Sequence, residues 1–307
     1  MKRLALGVGL AAIAGAAAAY GLTAPTPVAA GRLAAIAALE GDAAAGETLF
    51  WAGGCASCHA APGAKDEARL VLAGGVRLKS DFGTFVAPNI SPDPQAGIGG
   101  WSIEQFANAM LAGVSPDGRH YYPAFPYGSY VRMTDRDIAD LFAFLKTLPA
   151  SDVASLPHEV GFPFNIRRAL GGWKWLFFTD EPRVAPAGDE AQLGRGQYLV
   201  EGPGHCGECH TPRNPIGGFV TDAWLSGAQN PEGEGVIPNL TPGGKAIAGW
   251  SAADIAYYLE SGFTPDFDSV GGSMVSVQKN MAELTSGDRE AIAAYLKALP
   301  ARGDGWK

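Results

Sequence analysis

Four cysteines and two histidines carry the most specific chemistry in this chain. They stand as Cys55-Ala56-Ser57-Cys58-His59 and Cys206-Gly207-Glu208-Cys209-His210. A C-x-x-C-H run is the pattern for covalent attachment of a c-type haem. Two thiols meet the two vinyl groups of the ring and become thioethers. The next histidine is then held beneath the iron, where a ring nitrogen can bind it. A C-x-x-C pair alone would also suit half a zinc ribbon or a thioredoxin-like dithiol, but zinc leaves each following histidine without a purpose. The chain has four cysteines in all, so none remains for a disulfide, a nucleophile or a thiolate iron ligand. The motifs predict two covalently attached haem c groups. Cys55, Cys58, Cys206 and Cys209 anchor them, and His59 and His210 bind iron.

A methionine thioether opposite the histidine would close each iron and raise its potential. In the second half Met274 is the preferred candidate over Met281. It lies 274 − 210 = 64 residues after His210, in the Gly-rich run Gly271-Gly272-Ser273-Met274, expected to be a loop that lets the backbone approach a ring closely. In the first half the equivalent stretch, Tyr122-Pro123-Ala124-Phe125, has no methionine. Met133 ranks first there, with His120, and then Met110 or an open site, behind it.

These motifs sit in a duplicated frame. Cys55 and Cys206 are 206 − 55 = 151 residues apart. Pro88-Asn89-Ile90-Ser91-Pro92 matches Pro238-Asn239-Leu240-Thr241-Pro242 at an offset of 238 − 88 = 150, and Gly100-Trp101-Ser102 matches Gly249-Trp250-Ser251 at 250 − 101 = 149. Thr134-x-x-Asp137 matches Thr285-x-x-Asp288, again 151 apart. Landmarks that hold order and spacing in this way indicate a repeat. Each copy predicts a helix before the motif (Asp42 to Trp51, Ala191 to Val200) and a long Gly/Pro loop after it. A helix capped by Ser102 or Ser251 follows, and then a last helix capped by Thr134 or Thr285. Ile138, Leu141, Phe142, Leu145 and Leu148 give that last helix one apolar face. Trp101, Trp250, Asn89 and Asn239, repeated in both copies, are expected to line or close the haem pockets.

With 307 residues, 42 Gly and 22 Pro, the chain suits about two loop-rich domains. A net charge of −8 and the lack of a Lys/Arg run argue against nucleic acid. Lys2 and Arg3 precede an uncharged stretch. Leu4 to Ala24 would span about 31 Å as a helix at about 1.5 Å per residue, close to a bilayer core. The basic pair predicts a cytoplasmic N-terminus and an exported remainder. A retained anchor is preferred to a signal peptide cleaved at Val28-Ala29-Ala30.

The blocks Ala87-Pro-Asn-Ile-Ser-Pro-Asp, Asp117-Gly-Arg-His-Tyr-Tyr-Pro-Ala-Phe-Pro-Tyr and Gly204-His-Cys-Gly-Glu-Cys-His-Thr-Pro-Arg-Asn resemble the multihaem cytochrome c subunits of bacterial membrane-bound alcohol, gluconate and aldehyde dehydrogenases. The resemblance covers about residues 45 to 303, with two haem motifs where the best-known members have three. It implies an all-α fold of two tandem cytochrome c domains. The expected layout is an anchor or signal segment at 1–30, a first domain at 31–150, an apolar-rich linker at 151–190 and a second domain at 191–303. It implies single-electron transfer from a dehydrogenase catalytic subunit to quinone, a soluble cytochrome or a terminal oxidase, on the periplasmic side of the inner membrane. No pattern for pyrroloquinoline quinone, flavin or molybdenum cofactor is present. The rival class is a haem enzyme, such as a dihaem peroxidase or a thiosulfate-dehydrogenase-like protein with a labile first iron. Arg213, three residues past His210, is a candidate partner for a haem propionate. The linker, with Trp173-Lys-Trp-Leu-Phe-Phe, reads either as a docking or membrane-interface surface or as packing against the haem domains.

Overall fold

Helices begin where the capping residues predict. Ser102 accepts from the Gln105 amide and its own amide is capped in return, and Ser251 and Asp254 form the same box. Thr134 and Thr285 accept from the amides of Asp137 and Asp288. Each such cap contributes about 1 kcal/mol. The computed structural model describes residues 2–185, 190–231, 233 and 235–307. Residues 186–189 of the expected linker lie outside the described residues. So do Met1 and the side chains of residues 2–8 and 11–12, on which the expected anchor partly falls.

In chain order the helices are α1 (Lys2–Leu22), α2 (Ala30–Ala37), α3 (Ala43–Ala52), α4 (Cys55–His59), α5 (Ile103–Ala112), α6 (Tyr127–Tyr130), α7 (Asp135–Leu145), α8 (Leu170–Phe177), α9 (Ala191–Glu201), α10 (Gly207–His210), α11 (Ala252–Ser261), α12 (Met274–Met281) and α13 (Ser286–Ala298). Two hairpins join them, β1 (Arg77–Ser80) with β2 (Gly83–Val86) and β3 (Ala228–Gln229) with β4 (Val236–Ile237). The fold is thus mainly helical with two small antiparallel sheets, not purely α. Their registers repeat the offset: Arg77 pairs with Val86 and Ala228 with Ile237, so 228 − 77 = 237 − 86 = 151. Among the described residues no helix is long and apolar enough to cross a membrane.

The crossing of first and last helix in each half depends on a glycine. A Cβ on Gly46 of α3 would stand 2.0 Å from the Asp140 carbonyl oxygen of α7. A Cβ on Gly196 of α9 would stand 2.0 Å from that of Ala291 on α13. Only glycine permits this approach, which brings the helix preceding each cysteine pair onto the last helix. One apolar cluster runs through both halves, including Phe50, Trp51, Ile138 and Met133 in the first and Leu199, Trp224, Ile292 and Tyr295 in the second.

The expected linker packs inward on one side. Lys174 donates to the Ala112 and Gly113 carbonyls at the end of α5, at 2.6 and 2.9 Å. Trp173 Nε1 donates to the Ile216 carbonyl. Further on, the buried Glu201 carboxylate accepts from the amides of Arg183 and Val184, from Gln197 and from the Tyr295 hydroxyl. Arg132 donates to the Thr179 and Glu181 carbonyls, so the same segment is fixed to both halves. Burial, and then neighbouring Arg183, bring Arg132 down to about 10. The other side of the linker stays open: Phe162, Trp175 and Leu176 are 82%, 69% and 69% exposed.

Candidate haem centres

Each attachment motif is helical: α4 holds Cys55, Cys58 and His59, and α10 holds Cys209 and His210 with Cys206 as its N-cap, so the thiol i, the thiol i+3 and the histidine i+4 lie on one face. The histidine is oriented by a proline carbonyl. His59 Nδ1 donates to the Pro88 carbonyl at 2.8 Å, and His210 Nδ1 to that of Pro238 at 2.7 Å. A proline carbonyl only accepts, so the proton is on Nδ1 and Nε2 carries the lone pair. That is the tautomer a metal ligand needs, fixed by the hydrogen bond on its other nitrogen. Burial holds both imidazoles below their ordinary value, with the proline hydrogen bonds opposing it. Both rings are therefore neutral at neutral pH. Burial pushes the Cys55 and Cys206 thiols up to about 12, helped by the second thiol of each pair. Among the described residues no group of three or more His, Cys, Asp or Glu is placed to hold a bare metal ion. Two thiols and one lone-pair nitrogen per site fit iron delivered in a ring.

The loops that supply the prolines are held alike. Asn89 Nδ2 donates to the Ser151 and Val153 carbonyls, and its Oδ1 accepts from Ser91. Asn239 Nδ2 donates to the Arg302 carbonyl, and its Oδ1 accepts from Thr241. Both asparagines are buried. They tie the proline loop to the chain leaving the last helix, and so position the histidine from one residue away. Lys146 caps the Ile98 and Gly99 carbonyls, and Lys297 those of Ala248 and Trp250. Here too 297 − 146 = 151. These ties fix the Gly-Trp turns, and Trp101 and Trp250 pack, partly buried, against the core.

On the opposite side the halves differ. Met274 opens α12, packed half-buried against the core, rather than lying in a loop. In the first half Pro123 and Pro126 interrupt the same stretch, and α6 is a single turn. Phe125 of that stretch is ringed by Tyr121, Tyr127 and Tyr130. Met133 is 2% exposed in the core, at the repeat position of Leu284 (284 − 133 = 151), which is 4% exposed. Met110 is also buried in the core. His120 Nε2 donates to the Thr23 carbonyl at 3.0 Å, so its ring is occupied by the end of α1. Arg213 pairs with Glu208 inside its own motif and also caps the Gly217 carbonyl.

Sequence reasoning missed the contacts that join the motifs across the halves. Asn280 of α12 donates to Ser57 in the first motif at 2.7 Å. Ser129 of α6 donates to Glu208 in the second at 3.0 Å. The two contacts are equivalent, since 280 − 129 = 208 − 57 = 151. Residue i of one half meets residue j of the other, and j meets i, as across a two-fold axis. The equal offsets were present in the chain, but nothing in one sequence marks which surfaces meet.

The fold and its two histidine–proline sites define a protein built to hold haem covalently, and the cytochrome c family matches residues 43–149. The chain is 56% identical over 301 residues to the diheme cytochrome c-type protein of Cereibacter sphaeroides, across 98% of this chain and 99% of that one. It is 35% identical over 262 residues to the fructose dehydrogenase cytochrome subunit of Gluconobacter japonicus, covering 84% of this chain and 53% of the relative. It is 34% identical over 270 residues to the cytochrome c subunit of the quinone alcohol dehydrogenase of Gluconobacter oxydans, covering 85% and 55%. The chain spans about half the length of these last two. It belongs to the dihaem c-type cytochromes, with two covalently bound haem c groups, and it is an electron-transfer protein. Relatives that are cytochromes and cytochrome subunits do not favour the rival haem-enzyme reading.

Proposed function

We propose that this protein receives single electrons from a dehydrogenase catalytic subunit and passes them to quinone, another cytochrome or a terminal oxidase. Haem iron supplies the ferric/ferrous couple. The chain anchors it through Cys55, Cys58, Cys206 and Cys209, ligates it through His59 and His210, and closes the second site with Met274. Met133 is the proposed ligand of the first site. Asn89 and Asn239 hold the proline loops, Trp101 and Trp250 close the pockets, and Arg213 steadies the second motif through Glu208. Residues 31–150 and 191–303 form two cytochrome c domains, joined by 151–190. The protein works on the periplasmic side of the inner membrane, tethered by α1. The uncharged run Leu4 to Ala24 supports this, and Arg168, which stacks on Tyr20 and bonds its carbonyl, ties the end of α1 to the linker.

One observation carries the reading. In each half a proline carbonyl holds the histidine Nδ1 proton and leaves Nε2 for iron, beside two thiols. Purification from detergent-solubilised membranes tests it. The expected result is a denatured chain carrying the mass of two haems, together with a dehydrogenase subunit whose substrate reduces both. A chain that carries two haems but is never reduced by any co-purifying dehydrogenase would overturn the subunit role.

A further inference from the structure

The residue before each attachment motif differs between the halves. Gly54 precedes Cys55, and His205 precedes Cys206. Both adopt left-handed backbone, with φ of 58° and 37°. Glycine does so freely, whereas a residue with a side chain is strained there. The second half keeps a histidine where its repeat partner needs only glycine. Strain retained in this way points to a use for the side chain.

The imidazole has one. His205 Nε2 donates to the Gly53 carbonyl at 3.1 Å. The Tyr130 hydroxyl donates to the same oxygen at 3.4 Å, and the two rings meet edge to face with centroids 5.7 Å apart. The turns lie close together: a Cβ on Gly53 would stand 3.7 Å from the Pro203 carbonyl oxygen and 3.4 Å from Cys55 Sγ. Gly53 lies two residues before Cys55, and His205 is bonded to Cys206. From one haem-bearing cysteine to the other, the route is covalent except for one hydrogen bond.

We propose that His205 is the positioning residue that couples the two haem sites. It holds the turn before Cys206 against the turn before Cys55, and its hydrogen bond bridges the electron route between them. The exchange is a one-electron oxidation of one site and reduction of the other, with no proton moved. This rests on the dihaem electron-transfer reading, which is tested separately by the haem count of the variant.

His205→Gly is the decisive variant, because it restores the residue that the first half carries at this turn and relieves the strain. It is expected to fold and to carry two haems, with both midpoint potentials unchanged. After pulse injection of one electron per molecule, the fast redistribution between haems should be lost. Tyr130→Phe should slow it less. His205→Asn also tolerates the left-handed turn and serves if the glycine variant is unstable. Redistribution at the parent rate, with potentials unchanged, would overturn the proposal. So would nitrogen NMR of the reduced protein showing the His205 proton on Nδ1 alone.

Discussion

The two halves agree on the histidine side of the haem and disagree on the other. Below the ring, His59 with Pro88 and His210 with Pro238 differ by 0.1 Å in their hydrogen bonds, and each proline loop is tied down by its own asparagine. After α5 and α11 the copies part: Met274 opens a two-turn helix in the second, while in the first Phe125 stands among tyrosines between Pro123 and Pro126. Attachment and histidine ligation tolerate little variation, because two thioethers and one lone pair must meet a fixed ring. A ligand opposite the histidine tunes potential, and the proposed opposite ligands, Met274 and Met133, come from positions that do not correspond in the two copies.

The largest expected effect breaks the comparison at this point. Met274→Leu removes a sulfur at near-constant volume, a change that costs under about 1.5 kcal/mol in packing. It should abolish the near-infrared band of thioether-ligated ferric haem at the second site and lower that site's potential. Met133→Leu should do the same at the first. A band that survives it would instead make Met133 a core residue, as Leu284 is in the other half. Next, Gly46→Ala and Gly196→Ala should each cost about 1–3 kcal/mol by chemical denaturation, because the new methyl must displace a helix backbone. Equal losses sharpen the equivalence of the halves, and unequal ones break it. The smallest effect concerns Lys174, which fixes the linker to the first half. Burial holds its ammonium down to about 8, against 10.5 in the unfolded chain. Between these values the unfolded chain binds the extra proton, so this residue makes stability rise with pH from about 8 to 10.5. Urea titrations across that window should show the slope, and Lys174→Met should flatten it.

Much of this was legible in the chain. The caps at Ser102, Thr134, Ser251 and Thr285 and the apolar face of α7 follow from local rules, as do the attachment residues. The hairpins were missed although Arg77 to Val86 carries a turn at Asp81-Phe82-Gly83 between two short β-capable runs. In a haem protein that stretch reads as loop. Met274 was expected in a loop because of its two preceding glycines, yet they end where α12 begins. Repetition in both copies marks Asn89 and Asn239 as residues around the haem pockets, but not what they hold. Their actual partners, Ser151 and Arg302, lie about 60 residues away in sequence, beyond any local signal. The same holds for His205, whose meaning depends on Gly53 of the other half.

The reciprocal contacts of Ser57 with Asn280 and of Ser129 with Glu208 bear on the direction of traffic. Two identical sites related by a two-fold axis have equal potentials, and an electron shared between them has no downhill side. Rectification must then come from the places where the symmetry fails. Beside the motifs they include Ser57 against Glu208 and Ser129 against Asn280, the very residues that make the reciprocal contacts. A pair of sites with unequal potentials would owe the difference to such departures, not to the frame that repeats.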